Sequence, residues 1–192
     1  MKILSASFAL MILTVFSAGQ DNWSRFDSLE GGFAVALPAG EPSKTRQVVS
    51  DSEGNKIIQY STAINDGTTR FVIGYYDYPD SMRFSSPQSR DAIIKKMGGK
   101  LISDSSKKIA GLPVRDFRFQ TVSGAFEIII SARLIVAKSR IYLLQVIFPK
   151  PDEGALTEKK IERFFESFKT IDFTKPTSSN SFDTRSRSTY RF

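Results

Sequence analysis

"AFEIIISARLIVAKSRIYLLQVIF", residues 125–148, carries apolar side chains at both odd and even positions. Lys138-Ser139 divides it into two strands. In the first, Phe126, Ile128, Ile130, Leu134 and Val136 fall on one face, and Ile129, Ile135, Ala125 and Ala137 on the other. In the second, Ile141, Leu143 and Ile147 oppose Tyr142, Leu144, Val146 and Phe148. A strand with one wet face alternates apolar and polar residues, and these two do not. They belong to the middle of a sheet with a layer on each side.

The remaining elements follow outward from this pair. Breaks at Gly111-Leu112-Pro113 and Ser123-Gly124 make four strands between Lys100 and Phe148. Before them, "SSPQSRDAIIKKMGG" reads as a helix capped by Ser86, with Pro87 in its first turn and Gly98-Gly99 at its end. Ile93, Ile94 and Met97 share one face of it. After them, "ALTEKKIERFFESF" places Ile161, Phe164, Phe165 and Phe168 on one helical stripe. The N-terminal "RFDSLEGGFAVALPAGEP" reads as a strand, a Gly31-Gly32 turn and a second strand from Phe33 to Leu37. A three-stranded meander follows, with turns at Glu53-Gly54-Asn55 and Asp66-Gly67, the latter suited to a type I′ turn. Tight turns make the sheet mainly antiparallel. One helix for each face predicts an α/β/α sandwich, in the α+β class.

The termini have a different character. Lys2, the apolar run Ile3 to Phe16 and the small residues Ser17-Ala18-Gly19 have the layout of a secretory signal, so residues 1–19 are expected to be removed. The run is too short for a stable anchor, and no second long apolar segment predicts a membrane span. Export implies a secreted or periplasmic protein. Residues 20–173 form the expected single domain, and 174–192, rich in Ser, Thr and Arg without periodicity, an expected disordered tail. With no cysteine, the core alone must hold the fold, and 16 phenylalanines make that feasible. Lys2 leaves with the leader, and Lys175, Arg185, Arg187 and Arg191 oppose only Asp183 in the tail. The domain keeps 22 basic and 19 acidic residues, a mixed surface without a nucleic-acid footprint. The basic tail suits contact with an anionic lipid, a cell-wall polymer or an acidic partner.

Four segments, "GGFAVALP", "GLPVRDFRF", "SRIYLLQVIFP" and "FFESFKTI", together with the order of elements between residues 26 and 172, resemble the PsbP-like family. The matched segments are core and turn patterns and hold no catalytic signature. The resemblance implies an antiparallel sheet between helices and a non-enzymatic, partner-binding protein. The family's best-known members are extrinsic proteins of the photosynthetic oxygen-evolving complex, and many bacterial relatives are exported proteins without an assigned role.

The chain contains no histidine and no cysteine. That removes the commonest general base, the thiol nucleophile and the commonest zinc ligands. Neither G-x-G-x-x-G nor G-x-x-x-x-G-K occurs. Ser105 and Lys108 match S-x-x-K, but no S-D-N or K-T-G accompanies them. "DSEGN", residues 51–55, offers oxygens from Asp51, Glu53 and Asn55 without the spacing of a calcium loop. Neither an enzyme, a cofactor nor a metal is expected.

The remaining candidate is "GYYDYPDS", residues 74–81. Alternation puts Tyr75 and Tyr76 on opposite covered faces, and Pro79 ends the strand. Tyr76, Asp77, Tyr78, Asp80 and Arg83 then line a surface loop at the edge of the sandwich. The expected function is an exported, non-catalytic binding or assembly protein, its partner a protein or envelope component. The alternatives are a small-ligand or ion carrier using the Tyr76–Arg83 loop, or a carboxylate-based hydrolase of the glycosidase kind, which needs only two acidic groups.

Overall fold

The computed structural model describes residues 22–50, 56–78 and 84–171. The expected leader, the tail and the Glu53-Gly54-Asn55 turn lie outside these residues. The elements are β1 (Trp23–Ser28), β2 (Phe33–Pro38), β3 (Ser43–Ser50), β4 (Lys56–Asp66), β5 (Thr69–Asp77), α1 (Ser86–Lys96), β6 (Lys100–Ile109), β7 (Leu112–Ser123), β8 (Phe126–Ala137), β9 (Arg140–Pro149), α2 (Ala155–Ser167) and β10 (Lys169–Thr170). A 3₁₀ turn, Lys150–Asp152, precedes α2.

Seven strands form the main sheet in the order β3-β4-β5-β9-β8-β7-β6. It is two meanders, β3 to β5 and β6 to β9, joined where β5 pairs with β9, and every ladder is antiparallel. The pairs Ile109↔Leu112, Ser123↔Phe126 and Ala137↔Arg140 each leave a two-residue loop, which passes the register from strand to strand. The β4–β5 turn differs from the expected type I′ pair. Asp66 pairs with Thr69, so the loop is Gly67-Thr68, with Gly67 at φ +60° and no positive φ at Thr68.

Both faces of the central strands are buried, as their doubled alternation requires. Phe71, Ile73 and Tyr75 of β5 join Ile129 and Ile135 of β8 and Tyr142, Leu144, Val146 and Phe148 of β9 in one cluster. Phe117, Phe119, Ile130, Ala132, Leu134 and Ile141 form a second cluster on the opposite face.

The expected α/β/α sandwich is not the arrangement found. The first face is covered by a second sheet, β1-β2-β10, together with α2. Phe33, Val35 and Leu37 of β2 drive into the main sheet, with the Phe33 ring 6.0 Å from Tyr75 and 5.9 Å from Tyr142. Helix α2 lies beside β2 in the same layer, where Ser167 Oγ accepts the Ala36 N–H at 2.9 Å and Phe164 meets Phe71 at 5.4 Å. Among the described residues, α1 is the one helix on the second face, where it buries Ile94, and Tyr78 and Phe84 pack beside it. Leu143, Ile147, Ile128 and Val136 remain half-buried there. The hairpin competes with helix for the first face because β2 is apolar at nearly every position. Eleven residues of weakly amphipathic α1 cannot span seven strands.

Helix α1 also begins one residue earlier than its sequence suggests. Ser85 is the cap, its Oγ accepting the Gln88 N–H at 3.5 Å, and Ser86 is already helical. Gly98 at φ +59° closes the helix, donating to the Lys95 carbonyl while Gly99 donates to that of Ile94.

Candidate functional site

The tyrosine-rich end of β5 divides between the two faces. Tyr75 is buried, stacked on Tyr60 at 5.0 Å, with the Arg140 guanidinium 5.1 Å from its ring. Asp77 points the same way and pairs in register with Arg140, which donates to both its oxygens, Nε to Oδ1 at 2.6 Å and Nη2 to Oδ2 at 2.9 Å. Arg140 Nη1 reaches the Glu30 carbonyl at 2.9 Å, and the Tyr142 hydroxyl donates to Gly31 O at 2.9 Å. These bonds fasten the β1–β2 loop over the end of the main sheet. Gly31 is required there, because a Cβ would lie 2.5 Å from the Phe33 ring.

Burial pushes the Tyr75 hydroxyl up to about 12, reinforced by the Glu30 carboxylate. The hydrogen bond to Asp77 holds Arg140 above its ordinary value against partial burial.

Tyr76 points to the opposite face. Its ring lies 6.5 Å from that of Tyr78, which meets Phe84 at 5.5 Å, and all three pack against the second cluster. Tyr78 is half-buried, and its N–H bonds the Ser139 carbonyl at 2.5 Å, which prolongs the ladder beyond Asp77. The structure therefore brings Tyr76 and Tyr78 together and separates them from Asp77. Asp80 and Arg83 lie outside the described residues.

The carboxylates nearest to a cleft are engaged by cations. Arg133, 3% exposed on a strand between apolar neighbours, donates to both oxygens of Asp116 at 2.7 and 2.9 Å and to Glu166 of α2 at 2.9 Å. Lys107 completes the group at 3.0 Å from Asp116. Burial alone would raise the Asp116 carboxyl, but hydrogen bonds from Arg133 and Lys107 hold it below its ordinary value. Arg118 ties β7 to Glu153 and Glu158 around α2. The groups therefore dock α2 on the sheet. Ser105 and Lys108 sit on the exposed edge strand β6, and neither is at the start of a helix.

An apolar end of the β6–β8 meander is the surface that sequence reasoning missed. Among the described residues nine large hydrophobic side chains are exposed, and five of them, Met97, Leu101, Ile102, Val122 and Phe126, gather there. Leu101 pairs with Phe119, Ser123 with Phe126, and the Thr121 hydroxyl bonds the Met97 carbonyl at 2.6 Å, which places Leu101 and Phe126 on the α1 face of this end, while Val122, opposite Glu127, points to the other face. Phe126 was expected among the covered residues of its strand. It is 69% exposed, because α1 ends at Lys96 and nothing described extends over the β7–β8 turn. The exposed Lys95, Lys96 and Lys100 rim this end. The signal in the sequence is the Leu101-Ile102 pair at the start of an otherwise polar strand.

No family model and no curated protein matches the chain. Similarity is found among solved structures. Cyanobacterial PsbP (CyanoP) from Synechocystis sp. PCC 6803 aligns with a TM-score of 0.55 over 81% of this chain and 96% of that one, at 9% identity. The Ran-binding protein Mog1p of Saccharomyces cerevisiae aligns with a TM-score of 0.50 over 80% of this chain and 97% of that one, at 10% identity. At such identities the shared property is the fold. The layered antiparallel architecture built by these residues is the PsbP-like fold, the one the core and turn segments of the sequence resemble.

Proposed function

We propose that this chain is an exported, non-catalytic binding protein that docks a protein partner of the envelope through the apolar end of the β6–β8 meander. The concentration of exposed apolar side chains at one end of the meander, with Leu101 and Phe126 on the α1 face and Val122 on the other, carries the reading. Exposed apolar groups with a polar rim mark interaction surfaces. The lysines around them suit a partner whose apolar contact is bordered by acidic residues. The yeast neighbour of the same fold is named for binding a protein, Ran, which supports a binding role. The engagement of Asp77, Asp104, Asp116 and Glu166 in ion pairs supports a non-catalytic one. The Tyr76–Arg83 loop has a weaker claim as a carrier site, since Tyr76 and Tyr78 already pack into the second cluster and Asp77 is held by Arg140.

The test is site-specific photo-crosslinking in the native envelope. A crosslinker replacing Phe126 is expected to trap one discrete protein, and one replacing Thr45 on the far edge strand is expected to trap none. Phe126→Asp is expected to abolish capture with unchanged thermal melting. Equal labelling from both positions, or no adduct from Phe126, would remove the proposal.

A further inference from the structure

At the opposite end of β6, a cavity of about 340 Å³ opens between the start of α1 and the β6–β7 hairpin. Its floor is apolar, formed by Leu134 and Val136 of β8. Its rim carries Ser86, Ser106, Lys108 and Arg115. The register places these on one face, with Ser106 opposite Arg115 and Arg115 opposite Leu134. We propose that this cavity binds a small amphipathic anion, with a carboxylate or phosphate head on the basic rim and an aliphatic or aromatic body on the Leu134–Val136 floor.

Four observations carry this reading. Arg115 is largely buried, with 13% of its side chain exposed, and is held in place by two bonds, Nε to Ser86 Oγ at 3.2 Å and Nη1 to Asp104 at 2.5 Å. Its Nη2 nitrogen takes no part in either bond and remains available as a donor. Lys108 has no ion partner among the described residues. Among the described residues, the carboxylate bonded to Arg115 is Asp104, which also takes Arg90, itself paired with Asp91, so two guanidinium groups balance two carboxylates and Lys108 supplies the excess positive charge at the rim. The volume lies at the lower end of the range for ligand pockets, roughly 300 to 1,000 Å³, and fits one small molecule rather than a polymer. A fixed guanidinium beside a mobile ammonium suits a head group of one negative charge. A wholly hydrophilic anion would leave the floor wet, and a neutral apolar ligand would leave the rim without a partner. This site is separate from the apolar end proposed to dock a partner, and neither reading depends on the other.

Calorimetric titration of the full chain with octanoate, 1-octanol and inorganic phosphate tests it. Octanoate is expected to bind at one site. Octanol and phosphate are each expected to bind at least about tenfold more weakly, the loss that goes with one charge-assisted contact or with the apolar floor. Lys108→Gln, an exposed change on an edge strand, is expected to weaken octanoate about tenfold and leave octanol unchanged. Val136→Asp is expected to weaken octanoate without strengthening phosphate. Phosphatidylglycerol vesicles, which offer an anionic head with its body held in a bilayer, are expected not to displace octanoate, whether or not they meet the basic tail. The inference is overturned if octanoate binds no tighter than octanol, if phosphate matches octanoate, if Lys108→Gln has no effect, or if vesicles displace octanoate.

Discussion

Asp116 is the residue on which one buried charge depends. Arg133 has almost no contact with water, and its two bonds to Asp116 replace that solvation. Asp116→Asn is expected to lower stability at neutral pH by about 3 kcal/mol, the order seen when one partner of a buried pair is removed. The pH dependence has a definite sign. The folded-state carboxyl is held below its unfolded value of about 3.9, so its stabilisation is present above that pH and lost as pH falls through the lower folded value. The gap between parent and variant in urea unfolding is therefore expected to narrow between pH 7 and about 2.5. A constant gap would show that Asp116 is not the titrating partner. Tyr75 acts at the other end of the scale. Burial raises its hydroxyl to about 12 from an unfolded value of about 10, so its contribution is intact below pH 10 and lost between the two. Tyr75→Phe is expected to soften alkaline unfolding in that window. Tyr142, also raised by burial, keeps a remaining share of it. The face of Tyr75 was legible from alternation alone. The role of Arg133 was signalled only by a charge inside a strand apolar on both faces, which demands a partner that the strand itself cannot name.

At the scale of elements, the hairpin turns fix register and leave one removable strain. Lys138 takes φ +55° at the first position of the β8–β9 loop, where glycine is the natural occupant. A left-handed side chain costs about 1 to 2 kcal/mol, part of which glycine returns as unfolded-state entropy. Lys138→Gly is expected to raise the urea midpoint by a stability gain of about 0.5 kcal/mol with an unchanged slope. The end of α1 gives the opposite result. A Cβ on Gly99 would lie 2.6 Å from Phe119 Cδ2 and 3.2 Å from the Gln120 carbonyl. Gly99→Ala is expected to cost about 1 to 3 kcal/mol, the range for overpacking a core. At Gly98, a Cβ meets open space, and alanine is expected to cost only about 1 kcal/mol for its positive φ. The breaks at Gly111, Gly124 and Lys138 were readable because turn residues interrupt apolar runs. The one-residue shift of the α1 cap from Ser86 to Ser85 was not, because two adjacent serines offer the same chemistry.

For the whole molecule, export is proposed from the signal-like layout of the first residues. If the leader is removed after Gly19, intact-mass measurement of the exported protein is expected to show a chain beginning at Gln20, whereas retention of Met1 would exclude it. The sequence by itself determined the strands of the two meanders, the faces of their central residues and the antiparallel neighbours within each meander. Those properties follow from side-chain alternation and short loops, which act within about ten residues. It also excluded histidine and thiol chemistry outright. Only the tertiary structure decided which layer covers which face. Phe33, Val35 and Leu37 could have extended the main sheet or crossed it, and the choice rests on contacts with Phe71, Tyr75 and Tyr142 far along the chain. With β2 and α2 sharing one face, α1 was left to cover the other and is too short to reach the β7–β8 turn. The exposure of Phe126 and the cavity beside Arg115 are both products of that unequal covering, which no local pattern records.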